Sequence, residues 1–219
     1  MRTEHIGTRS VLLSHEGLDW GLNLQLIFGK EHNFLIDTGL GYGSAEPVKA
    51  LLREDKKPLV VVNTHHHWDH VWGNGFFEGS LLVSHALCRQ ALEETMQRDF
   101  EKYRHIARGE VRFALPSLTF DSALFFPADN LRIFYSPGHT DDCVSVFDEE
   151  DGILNAGDNI GDTDEEIVPE LACDAEVYRD TLDSYRALDF KLCVSGHNRP
   201  RGFEVLREIE TRLRRNEKL

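Results

Sequence analysis

A run of histidines with one aspartate near residue 65 supplies four metal-ligand side chains within six residues. His65, His67, Asp69 and His70 stand at spacings of 0, 2, 4 and 5, directly after the β-branched run 59–62. Neutral imidazole and carboxylate groups are good zinc ligands, and a segment with this spacing can serve two metal ions. Active-site side chains are also commonly placed in loops held by a rigid scaffold. The pattern therefore predicts a metal site.

Three later segments each place a ligand-type side chain beside a glycine at the end of an apolar run. They are Gly138-His139, Gly157-Asp158 and Gly196-His197. Glycine allows a tight turn and lets the backbone bring a ligand close to a metal without steric conflict. The ordered recurrence of these motifs favours a metal site over a chance grouping of histidines.

Apolar runs and turn signals predict an α/β architecture around these residues. Strands are predicted at 10–14, 22–28, 33–36, 59–62, 81–84 and 191–194, with further short strands between 118 and 156. Helices are predicted at 46–54, 85–108, 174–188 and 201–215. We expect the helices to cover two central sheets. Because no repeat or linker interrupts the pattern, one domain over 1–219 is predicted.

The charge balance and the termini bear on partners and location. Lys and Arg number 24 against 38 Asp and Glu, a net charge of -14 that disfavours binding to phosphate backbones. No stretch approaches the ~20 apolar residues of a membrane span, and the N-terminus lacks a secretory apolar run. We expect a cytoplasmic protein that acts on a small molecule, without nucleic-acid or membrane partners. Formation of a homo-oligomer stays open.

The motifs resemble those of the metallo-β-lactamase superfamily, from the segment LIDTG at 35–39 to the last Gly-His pair. This resemblance implies an α/β fold, a four-layer αββα sandwich in which helices cover two mixed sheets. It implies two zinc ions, with His65, His67 and His139 on one, Asp69, His70 and His197 on the other, and Asp158 bridging both. By the same resemblance, Asp37 would buttress the histidine segment from a neighbouring strand end.

The implied chemistry is hydrolysis by a hydroxide that bridges the metals. Bound water ionises near neutral pH on zinc, and Asp69 or Asp158 would orient the hydroxide or accept its proton. Only 22 residues follow His197, which disfavours the C-terminal helical domain of glyoxalase II enzymes. The leading hypothesis is a hydrolase of a small ester, lactone or thioester, with weak β-lactam turnover as a side activity.

Other functions share these ligands, because the site defines the chemistry better than the substrate. The alternatives are a phosphodiesterase, an iron-dependent oxidoreductase of the persulfide dioxygenase type, and a metal-binding protein without catalysis. Iron or manganese are the alternative metals. The identity of the bound metal would separate these classes.

The turn GLDWG at 17–21 carries Trp20 between glycines, where a large aromatic side chain has little core to join. In the family that the sequence resembles, this hairpin often overhangs the metals. Leu18 and Trp20 are therefore predicted to line the substrate mouth, with packing at the sheet end or a subunit contact as the alternative. The helix predicted at 85–108 should cover the metal cleft, with His85 at its start.

Overall fold

The computed structural model describes residues 1–18 and 20–215, and this part of the chain forms strands β1–β12 and helices α1–α5. The strands are β1 (Arg2–Ile6), β2 (Ser10–Ser14), β3 (Asn23–Phe28), β4 (Asn33–Ile36), β5 (Leu59–Val62), β6 (Leu81–His85), β7 (Leu118–Phe120), β8 (Ala123–Phe126), β9 (Leu131–Tyr135), β10 (Val144–Asp148), β11 (Ile153–Asn155) and β12 (Leu192–Val194). The helices are α1 (Tyr42–Leu51), α2 (Trp68–Val71), α3 (Ala86–Tyr103), α4 (Ala175–Arg186) and α5 (Glu204–Arg215).

Two mixed sheets form the centre of the fold. Strands β1 to β7 make the first sheet in chain order, antiparallel as far as β4 and parallel from β4 to β7. The second sheet has the order β12-β11-β10-β9-β8, in which only β11 and β12 are parallel neighbours. This arrangement confirms the two mixed sheets that the resemblance implied.

The alternation of side chains along β4 shows how the layers form. Phe34 faces the second sheet and packs with Ile133 of β9, because successive side chains of a strand point to opposite faces. Leu35 points the other way and packs with Val48 of α1. On the outer face of the second sheet, Leu154 packs in one cluster with side chains of α4 and α5. The result is the predicted four-layer αββα sandwich.

Several elements differ from the sequence-based prediction: α3 ends at Tyr103 rather than at residue 108, α5 begins at Glu204 rather than at residue 201, and α2 was not predicted. Helix α1 begins at Tyr42 rather than at residue 46, and Pro47 lies inside it. It begins there because Gly41 turns the loop with a φ of 114°, a value that favours glycine. Strand β1 was not predicted, because its first four residues are exposed and lack an apolar pattern. It is an edge strand, and β2 is its only partner among the described strands.

The directions of the strands bring the ligand-bearing segments together. Strands β4 and β5 are parallel, so both end at the same edge of the first sheet. In the second sheet β9 and β11 both run opposite to β10, and β12 is parallel to β11, so these three also end at one edge. Among the described helices, none is long and apolar enough to cross a membrane.

Candidate metal centre

Seven ligand-type side chains converge at these strand ends in two groups. The first group is His65, His67, His139 and Asp158, and the second is Asp69, His70 and His197. Within each group, one potential ligand atom per residue lies within 4.8 Å of the others. The structure therefore brings together every residue that the sequence suggested as a metal ligand, and the two groups differ from the implied sets only in that Asp158, the implied bridge, falls in the first.

Asp158 lies at the junction of the two groups. Its Oδ2 atom is 3.6 Å from His65 Nε2 and 3.8 Å from His139 Nε2 in the first group. The same oxygen is 3.3 Å from His70 Nε2 and 3.1 Å from His197 Nε2 in the second. One carboxylate oxygen thus reaches both sets, which is the position that a bridging ligand needs.

The centre contains polar atoms that the chain itself does not satisfy. His65 Nε2, His70 Nε2 and Asp158 Oδ1 are buried without a hydrogen-bond partner among the described residues. An unpaired buried polar atom costs about 1–3 kcal/mol, so such atoms are rare in native proteins. Cations coordinated at this point would satisfy them, and a donor set of imidazole nitrogens and carboxylate oxygens suits zinc, iron or manganese. The residues therefore fit divalent metal ions.

The outer nitrogen of four histidines is held by a partner from the chain. His65 Nδ1 contacts Thr64 Oγ1 (3.0 Å), His70 Nδ1 contacts Asp37 Oδ2 (2.7 Å), His139 Nδ1 contacts the Glu170 carbonyl (2.9 Å) and His197 Nδ1 contacts the Gly21 carbonyl (2.5 Å). With its Nδ1–H donated outward, each ring presents the lone pair of Nε2 to the centre. Such outer contacts fix the orientation of metal-binding histidines and increase their basicity.

The charges of the centre are matched to cations. Burial lowers the pKa of His65 well below its usual range and that of His67 to about 4, so both rings are neutral, the form that binds a metal ion. Burial also opposes charge on His70 and His197, but the Asp158 carboxylate raises the pKa of the first well above its usual range and that of the second to about 9. Divalent cations would displace protons from these two rings on binding.

Asp37 supports the histidine segment from the end of β4. Its Oδ1 accepts a hydrogen bond from the Thr64 backbone (2.8 Å), and its Oδ2 accepts from Thr64 Oγ1 (2.8 Å) and from His70 Nδ1 (2.7 Å). The residue has a φ of 61°, a left-handed conformation that Asp and Asn tolerate better than most residues. All three contacts require an acceptor, which a carboxylate provides and an amide provides only in part.

Replacing Asp37 by asparagine should therefore loosen the centre without removing a ligand. Whichever way the amide is turned, its NH2 group faces a donor from Thr64 or His70. We expect a loss of about 10–100-fold in metal affinity or activity, which is the usual effect of replacing a residue that hydrogen-bonds to a metal ligand. Metal titration of Asp37→Asn tests this, and an unchanged affinity would contradict the supporting role of Asp37.

Helix α3 forms one wall of a cavity beside the first ligand group. The cavity measures about 540 Å³, and His67 and His139 open into it. Helix α3 contributes Leu87, Gln90, Ala91 and Glu94 to its lining. His85 is the N-cap of this helix and accepts a hydrogen bond from the Leu87 backbone (3.2 Å). The predictions of a helical cover beside the cleft and of His85 at its start are both confirmed.

Trp20 lies against the second ligand group. Its ring contacts the His197 ring edge-on at 5.4 Å between centroids, and it contacts Trp68 in the same way at 6.0 Å. Leu18 and Trp20 also pack on a buried cluster that includes Trp72. The hairpin end thus combines packing with proximity to a ligand, and neither side chain lines the cavity beside α3. Their contact with substrate stays a prediction.

Asn159 is a site residue that sequence reasoning missed. Its Oδ1 accepts a hydrogen bond from the His139 backbone (2.9 Å), and its Nδ2 donates to the Ser136 carbonyl (2.6 Å) and to the phenol oxygen Oη of Tyr185 (3.0 Å). The residue thereby holds the loop that carries His139. Its only signal in the sequence is its place directly after Asp158, because its partners come from distant segments.

Comparison with known proteins decides the family. Residues 23–197 match the model of the metallo-beta-lactamase superfamily, a range that runs from β3 to the last histidine of the centre. The chain belongs to this superfamily. Its members' fold is also seen in the metallo-beta-lactamase from Hirschia baltica, which shares 17% identity over 96% of both chains with a TM-score of 0.74.

Two curated relatives add named activities. The chain is 28% identical to the acyl-coenzyme A thioesterase MBLAC2 of Homo sapiens in an alignment 165 residues long that covers 64% of the chain and 58% of that protein. It is 31% identical to the hydroxyacylglutathione hydrolase of Synechococcus sp. (strain JA-2-3B'a(2-13)) over 117 residues, 53% of the chain and 40% of that protein. The chain therefore spans about half the length of these relatives.

Proposed function

We propose that this protein is a dinuclear zinc-dependent hydrolase of small thioesters, a class within the ester, lactone and thioester substrates that the sequence suggested. The observation that carries the proposal is the position of Asp158, whose Oδ2 lies within 3.8 Å of histidines from both ligand groups. Seven ligands exceed what one tetrahedral site takes, which favours two metal ions.

The chain's own residues prepare the site for hydrolysis. When bound, two zinc ions would polarise the carbonyl group and lower the pKa of water to about 7. The outer contacts of the histidines hold the rings in place, so that little reorganisation is needed during the reaction. Asp69, with Oδ2 3.5 Å from His197 Nε2, and Asp158 are the carboxylates that can accept a proton from the attacking water.

A covalent cysteine mechanism is less compatible with the structure. Cys143 follows the His139 loop but is 1% exposed, and burial raises the pKa of its thiol well above the usual range. A nucleophilic cysteine needs a lowered pKa and access to the substrate. Water activated at the metal centre is therefore the nucleophile that we propose.

The substrate class draws on the relatives and on the cavity. The names of both curated relatives denote an acyl group carried on a thiol, which is a thioester. The cavity beside α3 has apolar side chains at Leu87, Ala91 and Leu171, against which a short acyl chain could pack. The neighbouring metallo-beta-lactamase shares only 17% identity, so it supports the fold and leaves β-lactam turnover as a side activity to be tested.

Zinc content tests the dinuclear centre. We expect about two zinc ions per chain after purification without chelator and reloading, because the ligands form two groups. Elemental analysis measures this number. His65→Gln should reduce it, whereas His105→Gln, a change at an exposed histidine outside both groups, should not. A content of one or zero in the reloaded protein would overturn the dinuclear proposal.

A substrate panel then tests the reaction. The zinc-loaded protein should hydrolyse simple thioesters faster than lactones, β-lactams or phosphodiesters, and a chelator should abolish the activity. Preference for a phosphodiester would favour the phosphodiesterase alternative. Oxygen consumption with a persulfide by an iron-loaded protein, without thioester hydrolysis, would favour the oxidoreductase instead.

A further inference from the structure

The cavity beside α3 has an acidic wall. Four carboxylates line it, from Glu94 of α3, Asp141 and Asp142 of the His139 loop, and Glu170. No lysine or arginine is among the residues that line this cavity. The same cavity opens on His67 and His139, so the acidic wall stands directly beside the proposed reaction centre.

A second cavity that is also lined by His139 has the same character. It measures about 570 Å³, and its carboxylates come from Asp162, Glu165, Glu166 and Glu170. Its one basic side chain, Arg212, is already engaged with the backbone carbonyls of the 164–165 segment and with the carboxylate of Glu208. Both of these cavities beside His139 are thus bordered by negative charge.

Few of these charges are compensated within the protein. In residues 1–18 and 20–215, only Asp142 among these seven carboxylates forms an ion pair, with His66 Nδ1 at 2.8 Å. Asp142 is 3% exposed, and its second oxygen, Oδ2, is buried with no hydrogen-bond partner in the same residues. The wall therefore contains an acceptor left unsatisfied by the chain, in addition to the exposed carboxylates.

We propose that the site selects thioesters that carry a positive charge away from the scissile bond, and that it excludes polyanionic carriers such as coenzyme A. This inference rests on the proposed thioesterase function. Carboxylates that line a cleft concentrate cations and repel anions, and they act most strongly at low ionic strength. Since both cavities beside His139 are acidic, the preference should hold for a charge on the thiol portion of the substrate.

Three matched substrates test the proposal. Butyrylthiocholine carries a quaternary ammonium group, the butyryl thioester of 3,3-dimethylbutanethiol is its neutral isostere, and the butyryl thioester of 3-mercaptopropionate is anionic. For the zinc-loaded protein we expect kcat/KM to fall in that order, by at least about tenfold from first to last at low salt. Butyryl-coenzyme A should be hydrolysed no faster than the anionic thioester. Molar salt should reduce the difference.

Two variants locate the charge that discriminates. Glu94→Gln and Glu170→Gln should each reduce the ratio between the cationic and anionic substrates about threefold, because each removes one wall charge. The matched control is Glu93→Gln. Glu93 directly precedes Glu94 in α3, but its side chain lines a separate groove together with Phe113. That control should leave the ratio unchanged.

The outcomes separate this inference from the proposed function. Thioester hydrolysis with no charge preference, or with preference for the anionic substrate or coenzyme A, would overturn the inference alone. Hydrolysis of none of the thioesters would overturn the proposed function, and the inference with it.

Discussion

Replacing Asp158 by asparagine is expected to remove at least one metal ion and to lower kcat/KM at least about a thousandfold. Asp158 Oδ2 lies 3.1 Å from His197 Nε2 and 3.6 Å from His65 Nε2, so one residue serves both ligand groups. Asparagine keeps the size but loses the charge and replaces one oxygen with a poor ligand. Among the described residues that form the two groups, no other is placed to take over both contacts.

Metal content, turnover and thermal unfolding of Asp158→Asn measure this effect. Unfolding should be compared between metal-free forms, because a bound ion by itself raises the apparent stability. In that state the variant should remain folded, which separates loss of a ligand from loss of structure. Asp37→Asn is the matched control, since it makes the same chemical change one contact further out. An Asp158→Asn protein with two metals and full activity would rule out the bridging role.

Replacing Gly196 by alanine should disrupt the metal centre, because the added methyl group would clash with two of its side chains. Gly196 directly precedes His197, and a Cβ at this position would lie 2.1 Å from Asp158 Oδ1 and 2.7 Å from His70 Cε1. Neither contact can be accommodated unless the two side chains move out of ligand position. We expect loss of metal binding together with about 1–3 kcal/mol of stability, the usual cost of overpacking a dense region. Zinc titration and denaturant unfolding measure the two effects separately.

A surface glycine provides the control for this substitution. At Gly79 an added Cβ would meet no atom within 4 Å, although the φ of 88° makes any other residue unfavourable. Gly79→Ala should therefore cost about 1–2 kcal/mol of stability and leave zinc binding unchanged. If Gly196→Ala bound two zinc ions with the affinity of the unchanged protein, the close approach of the Gly196 backbone to Asp158 and His70 would not be needed for metal binding.

The sequence by itself predicted the candidate metal ligands, and its resemblance to a known family implied the layers. The spacing of His65, His67, Asp69 and His70 is local, and it follows a strand whose apolar pattern is also local. The apolar run at 33–36 likewise predicted β4, a strand that is buried on both faces. Such features are visible in one segment at a time, so they could be predicted.

Only the tertiary structure decided how these segments meet. His197 Nδ1 donates to the Gly21 carbonyl across 176 residues of sequence, and Asn159 holds the His139 backbone from another loop. The acidic walls likewise combine side chains from α3 and from two loops. Contacts of this kind depend on the order and direction of strands in both sheets, and no local pattern of residue types encodes them.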